Sequence, residues 1–319
     1  MYAAVVRAFD HPPRYEWFDS PVAQHENQIL VDVLAAALHP RVRSGASNSH
    51  YTSTGELPLV PGVDGVGRLA NGQRVYFVAP DSALGTLAEQ AVIDPRQSVA
   101  LPAGADPIVI AAAMLPGMSS WLALRKRIQF EAGKRVLILG ATGNAGQMAI
   151  QIAKRLGASE VIAAGRAADV LNQLSDLGAD SVVSLAGDLE QAAESVGQAA
   201  AEVDVVIDYV WGQPAERIMP ALLMRRSDRS RALDWVQIGS MAGASIKLPS
   251  EVLRAANLRL QGSGQGSIST RAIVEELPSL VSELANGAFK VNAKAVPLAE
   301  VESAWNAPTP RGQVIVFTP

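Results

Sequence analysis

One stretch constrains the fold more than any other. Arg135-Val136-Leu137-Ile138-Leu139, an apolar, strand-favouring run, gives way to Gly140-Ala141-Thr142-Gly143-Asn144-Ala145-Gly146 and then to a helical pattern. Met148, Ile152 and Leu156 recur at i, i+4 and i+8, and Gly157 stands where a helix would stop. The segment reads as strand, glycine turn, helix. Such a turn suits a dinucleotide, because glycines let the backbone approach a pyrophosphate while the helix N-terminus offers unpaired N–H groups and a partial positive charge.

The rest of the chain supports that reading. Strands are expected at 136–140, 160–164, 181–184, 204–209, 233–238 and 258–262, separated by helices at 146–156, 168–177, 188–201, 214–225 and 249–256. Strands alternating with amphipathic helices imply a doubly wound parallel sheet with right-handed crossovers. The chain before it is β-rich, with strands at 2–9, 28–35 and 86–93 and a hairpin over 63–70 and 73–79 around Asn71-Gly72. Residues 38–61 form a long polar loop with one short helix. Asp106 is placed to cap a helix with Pro107 in its first turn, Pro116-Gly117 to break it, and 119–127 to form a second helix. After the sheet come a helix at 270–286, a strand at 291–296, a helix at 298–305 and a strand at 313–317. That tail is too short to fold alone, so it is expected to return to the β-rich part. The fold class is α/β, with a nucleotide domain over 116–266 inserted into a domain made of 1–115 and 267–319.

Composition excludes several classes of partner. The 319 residues carry a net charge of −4 and no cysteine. Without a Lys/Arg block there is no surface for nucleic acid or an anionic membrane, and without cysteine there is no disulfide, thiolate zinc site or thiol nucleophile. No basic segment followed by an apolar core opens the chain, and no uninterrupted apolar run reaches bilayer length. A cytoplasmic protein acting on a small molecule is the expectation.

The glycine turn departs from G-x-G-x-x-G in one slot: aligning Gly143 and Gly146 puts Ala141 first, where a methyl is tolerable only at negative φ. About 20 residues on, where an acid would hold the ribose 2′-hydroxyl of NAD, the sequence reads Val161-Ile162-Ala163-Ala164-Gly165-Arg166. A guanidinium pairs with a 2′-phosphate, so NADP(H) is the expected cofactor. The plain alternative is an ordinary exposed arginine with Asp169 on the ribose. Tyr209 and Trp211, ending a buried strand, stand either in the cofactor channel or in packing. Gly239-Ser240 ends the next strand on the same side.

Taken together, the β-rich start, the inserted nucleotide domain, Pro61-Gly62-Val63-Asp64-Gly65-Val66-Gly67, the turn at 140–146, and Gln237-Ile238-Gly239-Ser240 followed by Leu260-Gln261-Gly262 resemble the medium-chain dehydrogenase/reductase superfamily, most closely its zinc-free quinone oxidoreductase branch. The likeness spans essentially the whole chain. It implies a GroES-like β-rich domain beside a Rossmann domain, and hydride transfer from NADPH to a quinone or to the β-carbon of an α,β-unsaturated carbonyl. Zinc-dependent members use a Cys and a Gly-His-Glu segment; here the segment is Gly62-Val63-Asp64, and His39, His50 and Asp64 have no ligand-like spacing, so no metal is expected. The family's Asn-Pro-x-Asp and Gly-x-Tyr region is matched only loosely by His39-Pro40-Arg41-Val42 and His50-Tyr51.

On that resemblance Tyr51 and His39 are the catalytic candidates, His39 being equally readable as a hydrogen-bonded structural residue; Arg41 and Arg43 read as solvated. Gly143, Asn144, Ala145 and Gly146 would receive the pyrophosphate and Gly165-Arg166 the 2′-phosphate end. Ser119 would reach a ribose or phosphate oxygen, and Gly239, Ser240, Gly262 and Ser263 would position the nicotinamide. The family also implies a homodimer through the edge of the nucleotide sheet. Two other classes remain: a zinc-free alcohol or aldehyde reductase, and a non-catalytic NADPH-binding protein with a structural or sensory role.

Overall fold

The computed structural model describes residues 1–319 apart from Asp81. In chain order the first elements are β1 (Tyr2–Val5), β2 (Arg14–Trp17), β3 (Ile29–Ala37), α1 (Pro40–Ala46), β4 (Asp64–Arg68), β5 (Arg74–Val78), β6 (Gln90–Ile93), β7 (Ser98–Ala100) and α2 (Pro107–Leu122). Next come β8 (Arg135–Leu139), α3 (Asn144–Arg155), β9 (Glu160–Gly165), α4 (Ala168–Leu171), β10 (Ser181–Ser184), α5 (Leu189–Ala199), β11 (Val205–Asp208), α6 (Gly212–Arg225), β12 (Leu233–Gln237), α7 (Ser250–Ala255) and β13 (Leu258–Gly262). The last are α8 (Thr270–Ala285), β14 (Ala293–Pro297), α9 (Val301–Trp305) and β15 (Val314–Thr318). The chain divides into two compact units, Met1–Leu115 with Val274–Pro319, and Pro116–Ile273.

In the first unit a sheet runs β14-β15-β3-β4-β5-β7, with β6 also on β3, and β1 and β2 make a separate antiparallel pair. The hairpin forms around Asn71-Gly72 as its sequence demands: Arg68 pairs Arg74, Gly72 has φ 83°, and the Asn71 side chain accepts the Gln73 N–H. β15 lies antiparallel to β3, with Val316 opposite Ala37, so the C-terminal strand completes the sheet begun near the N-terminus. Val31, Val33, Phe77, Ile93, Trp305 and Phe317 belong to its apolar core.

The second unit is an all-parallel sheet in the order β10-β9-β8-β11-β12-β13. The order reverses on either side of β8, and ligands of such sheets sit outside the carboxyl ends of the strands at that point. Central strands buried on both faces need continuous apolar runs. β8 and β11 supply them with Val136, Leu137, Ile138 and Leu139 and with Val205, Val206 and Ile207, all fully enclosed.

Three expectations are corrected. Pro116-Gly117 does not break the helix: α2 runs straight through it and continues into a wider π-type turn, Ala123–Arg127. A proline inside a helix costs about 3 kcal/mol, but burying Ile110, Met114, Met118, Trp121 and Leu122 returns roughly 1.5–3 kcal/mol for each large side chain. The resulting stretch, Pro107–Arg127, is by length and composition apolar enough to cross a membrane, contrary to the expected absence of such a run, yet 72% of its apolar window is buried inside the protein as a core helix is. The helix expected over 168–177 shrinks to α4 and a tight turn, Leu174–Leu177, closed by Gly178 at φ 104°. Only Val170, Leu171 and Leu174 face inward there, a stripe too narrow for three turns.

Candidate functional site

At the carboxyl end of β8 the chain turns on Gly140, whose φ of 87° is left-handed, and a side chain there would meet the Tyr209 Cβ at 3.2 Å. Ala141 is absent from the described non-glycine residues of positive φ, which are Asn48, Gln129 and Trp211, so its methyl is accommodated as required. Gly146 is glycine for a different reason: a Cβ would stand 2.4 Å from the Gly140 carbonyl oxygen and 2.6 Å from the Ala141 Cα. Helix α3 can therefore start hard against the turn. Its N-cap is Gly143, which supplies no capping side chain, so the first-turn N–H groups of Asn144, Ala145 and Gly146 have no partner within the helix. Space above Gly143 is open except for the Gly140 oxygen at 3.5 Å. The Asn144 Oδ1, buried and without a hydrogen bond, points to a missing donor in the same place. The dipole end, the uncapped N–H groups and the orphaned oxygen fit the pyrophosphate and ribose of a dinucleotide.

Beside this turn ends β9. Gly165 is glycine because a Cβ would lie 2.5 Å from Thr142 Cγ2. Arg166 follows it directly, exposed, and makes no hydrogen bond or ion pair among the described residues. Asp169, its acidic neighbour, sits exposed in the first turn of α4 and does not engage it. A guanidinium held one strand away from a phosphate turn, with its donors unspent, fits a 2′-phosphate.

On the other side of β8, β11 ends in Asp208, whose carboxylate is enclosed. Its Oδ1 accepts from the N–H groups of Val210 at 2.8 Å and Trp211 at 2.9 Å, and its Oδ2 from Trp235 Nε1 at 3.0 Å. Burial pushes its pKa up, against those three donors. Tyr209 is buried, and burial raises its phenol to about 12. Its hydroxyl lies 2.8 Å from Ser119 Oγ, which in turn donates to the Pro116 carbonyl at 2.6 Å. Ser119 is thus placed at the sheet, with its proton committed. Gly239, just past β12, donates to the Asp208 carbonyl at 3.1 Å, and a Cβ there would lie 2.8 Å from the Tyr209 carbonyl. Ser240 is exposed beside it. At the end of β13, Gly262 accepts from Arg127 Nε at 2.9 Å, and the N–H of buried Ser263 donates to Gln237 at 2.8 Å. The structure gathers all these positions at the carboxyl ends of five neighbouring strands.

The other candidates lie in the first unit. His39 caps α1, is 3% exposed, and has Nε2 3.4 Å from the Ala111 carbonyl. Burial lowers its pKa to about 4, so the ring is neutral at pH 7 and ties α1 to α2. Tyr51 is 73% exposed, its ring 4.4 Å from that of His50, whose Nδ1 accepts the Thr52 N–H. A shallow open cleft lies alongside, lined among others by Phe9, Arg41, Val42, Ser53, Glu56 and Val63 but by neither His39 nor Tyr51. The reading of Arg41 and Arg43 as solvated is corrected: both are half-buried, Arg41 donating to Thr52 Oγ1 and Arg43 to the Trp305 carbonyl while lying 5.4 Å over that indole. Asp64 opens β4 at 2% exposure, accepts from the Tyr76 hydroxyl at 2.9 Å on Oδ2, and leaves Oδ1 without a partner. Burial raises its pKa to about 7. Among the described residues no three His, Asp or Glu side chains gather as a metal site would require.

Sequence reasoning missed the Asp208 clamp and the Asp64–Tyr76 pair. An acid ending an apolar strand, as in Val206-Ile207-Asp208, was the available signal for the first. The second joins residues 12 apart across a hairpin and shows only once β4 and β5 are paired.

Comparison with known proteins identifies the family. A family profile described as zinc-binding dehydrogenase matches residues 145–286. Over 100% of both chains the protein is 32% identical to the probable NADPH-dependent quinone reductase tdiC of Emericella nidulans. It is 28% identical to the chloroplastic NADPH-dependent alkenal/one oxidoreductase of Arabidopsis thaliana, over 58% of this chain and 50% of the other. The quinone oxidoreductase of Thermus thermophilus, solved also with NADPH, superposes with a TM-score of 0.81 at 27% identity, covering 100% of each chain. The chain belongs to the medium-chain dehydrogenase/reductase superfamily, in its quinone oxidoreductase-like branch.

Proposed function

We propose that the protein is an NADPH-dependent reductase that delivers hydride to a quinone or to the β-carbon of an α,β-unsaturated carbonyl. The observation that carries the cofactor is Arg166, exposed and unengaged at the end of β9, next to a phosphate turn whose helix is uncapped. NADPH would supply the hydride. The chain's own part is to bind the pyrophosphate on the α3 N-terminus, pair Arg166 with the 2′-phosphate, and hold the nicotinamide on the backbone at Gly239, Ser240, Gly262 and Ser263. The names of the Emericella and Arabidopsis relatives support the two acceptor classes. Tyr51 is the proton source in this reading, because it stands exposed on the polar loop of the first unit. His39, neutral and enclosed, holds the start of that loop in place. Both edge strands of the nucleotide sheet, β10 and β13, have one unpaired side, which supports a homodimer formed at that sheet.

The test is NADPH oxidation followed at 340 nm against a panel of quinones, enones and aldehydes. Turnover of quinones or enones is the expected result. Turnover of aldehydes alone would replace the reading with a carbonyl reductase, and no turnover with tight NADPH binding would make the protein a cofactor-binding one.

A further inference from the structure

The open cleft of the first unit is lined by residues of α1 and of the loop that follows, and four hydroxyls reach it: Thr52, Ser53, Thr54 and Ser82. Three of them are engaged by the protein. Thr52 Oγ1 accepts from the Arg41 guanidinium and lies 3.1 Å from His50 Nδ1. Thr54 Oγ1 accepts the Glu56 N–H at 3.3 Å, and Ser82 Oγ donates to the Leu84 carbonyl at 3.3 Å. Ser53 differs. Its N–H closes a turn onto the His50 carbonyl at 3.0 Å, but its Oγ is buried and has no hydrogen-bond partner among the described residues. An unpartnered buried hydroxyl is unfavourable. The residue as a whole is only half-buried, and rotation about χ1 gives its Oγ three staggered positions, so an oxygen bound in the cleft can supply the partner that the fold does not. The corner itself is anchored: Arg41 on α1 grips the neighbouring Thr52, and Gly45 leaves room for the guanidinium, since a Cβ there would stand 3.1 Å from Arg41 Nη1. Phe9, Val42, Leu59 and Val63 give the same cleft an apolar surface, and its two charged residues, Arg41 and Glu56, are of opposite sign. Such a lining suits a neutral, apolar ring carrying oxygen at its edge.

We propose that Ser53 is a specificity-determining residue for the acceptor: it donates a hydrogen bond to the second carbonyl oxygen of a quinone, so that quinones rather than simple enones are the class this protein selects. The proposal rests on the reductase reading above, in which Tyr51 serves the oxygen that takes up the proton. An enone has only that oxygen, whereas a quinone has another at the far edge of its ring. The reaction joins the quinone, the hydride of NADPH and one proton to give the hydroquinone and NADP+, and Ser53 keeps its own proton throughout. Its part is to hold and orient the ring, and Arg41 is the positioning residue that fixes the corner on which it stands.

Initial rates with NADPH against 1,4-benzoquinone and 2-cyclohexen-1-one, rings of the same size with two carbonyls and with one, test it on the intact protein. Ser53→Ala should lower kcat/KM for benzoquinone roughly threefold to tenfold, the scale of one neutral hydrogen bond, and leave that for cyclohexenone unchanged. Ser53→Thr keeps a hydroxyl and should stay closer to the wild type on benzoquinone than the alanine variant does. In thermal unfolding Ser53→Ala should match or exceed the wild type, because it removes a buried hydroxyl that has no partner. Unchanged benzoquinone kinetics, or an equal loss on both acceptors, would overturn the proposal. So would a lowered unfolding midpoint, which would assign the hydroxyl to the fold. A wild type that reduces cyclohexenone but not benzoquinone would overturn the proposal and leave the reductase reading standing; turnover of neither would overturn that reading, and the proposal with it.

Discussion

Asp64→Asn should stabilise the protein, and more so as the pH rises. Asp64 is enclosed at the start of β4, with one carboxylate oxygen on the Tyr76 hydroxyl and the other unpartnered. Burial lifts its pKa from 3.8 to about 7, the Tyr76 hydrogen bond opposing but not cancelling the effect. The folded state therefore holds this proton across a range in which the unfolded chain releases it. Below pH 3.8 both states are protonated and nothing is lost. As pH climbs towards the folded pKa the protonated carboxyl becomes harder to maintain relative to the unfolded chain, and above it the cost levels off near 4 kcal/mol, about three pKa units at 1.36 kcal/mol each.

Asparagine has nearly the same shape, still accepts from Tyr76, and cannot ionise. Its advantage over Asp64 should grow by roughly 3 kcal/mol between pH 5 and pH 8. In urea unfolding at those two pH values, with every other titrating group common to both proteins, the midpoint gap should widen by about 1 M or more. A gap that is the same at both pH values, or that narrows at pH 8, would refute this account and place the Asp64 carboxylate in contact with water or a cation.

Three more expectations rest on the geometry. Arg166→Ala should raise the NADPH dissociation constant roughly 10- to 100-fold and leave that of NADH nearly unchanged, the scale of lost charge-assisted hydrogen bonds; equal effects on both in calorimetry would move selectivity elsewhere. Gly146→Ala forces a methyl to 2.4 Å from the Gly140 oxygen, so it should lower stability by roughly 1–3 kcal/mol and weaken cofactor binding together, read by thermal unfolding and NADPH titration on the same samples. Pro116→Ala restores a backbone N–H inside the continuous helix α2 and should stabilise by about 1–3 kcal/mol in thermal unfolding, whereas destabilisation would show that the ring is needed for packing.

The alternation of strands and helices, the hairpin at Asn71-Gly72, and the turn from β8 to α3 were legible because each rests on interactions within a few residues. Periodicity selects helix or strand, Asn-Gly selects the tight turn, and glycines admit backbone close to backbone. Arg166 was legible for the same reason, its distance from the phosphate turn being set by one helix and one strand. The loop at 38–61 was less so. Its short helix, α1, is expected from the sequence, but the enclosure of His39 and the anchoring of Arg41 and Arg43 depend on Ala111, Thr52 and Trp305, contacts that no local pattern announces.

By itself, then, the sequence determined the order of elements, the parallel sheet, and a glycine turn with an exposed arginine beyond it, all consequences of local backbone preference and side-chain spacing. Tertiary structure decided whether α2 survives its proline, whether Asp64 is charged, and how Trp211 is held. Those outcomes turn on burial and on partners distant in the chain: the apolar environment of α2, Tyr76 across the hairpin, and Trp235 on the neighbouring strand. Free energies of this kind are settled only when the chain is packed.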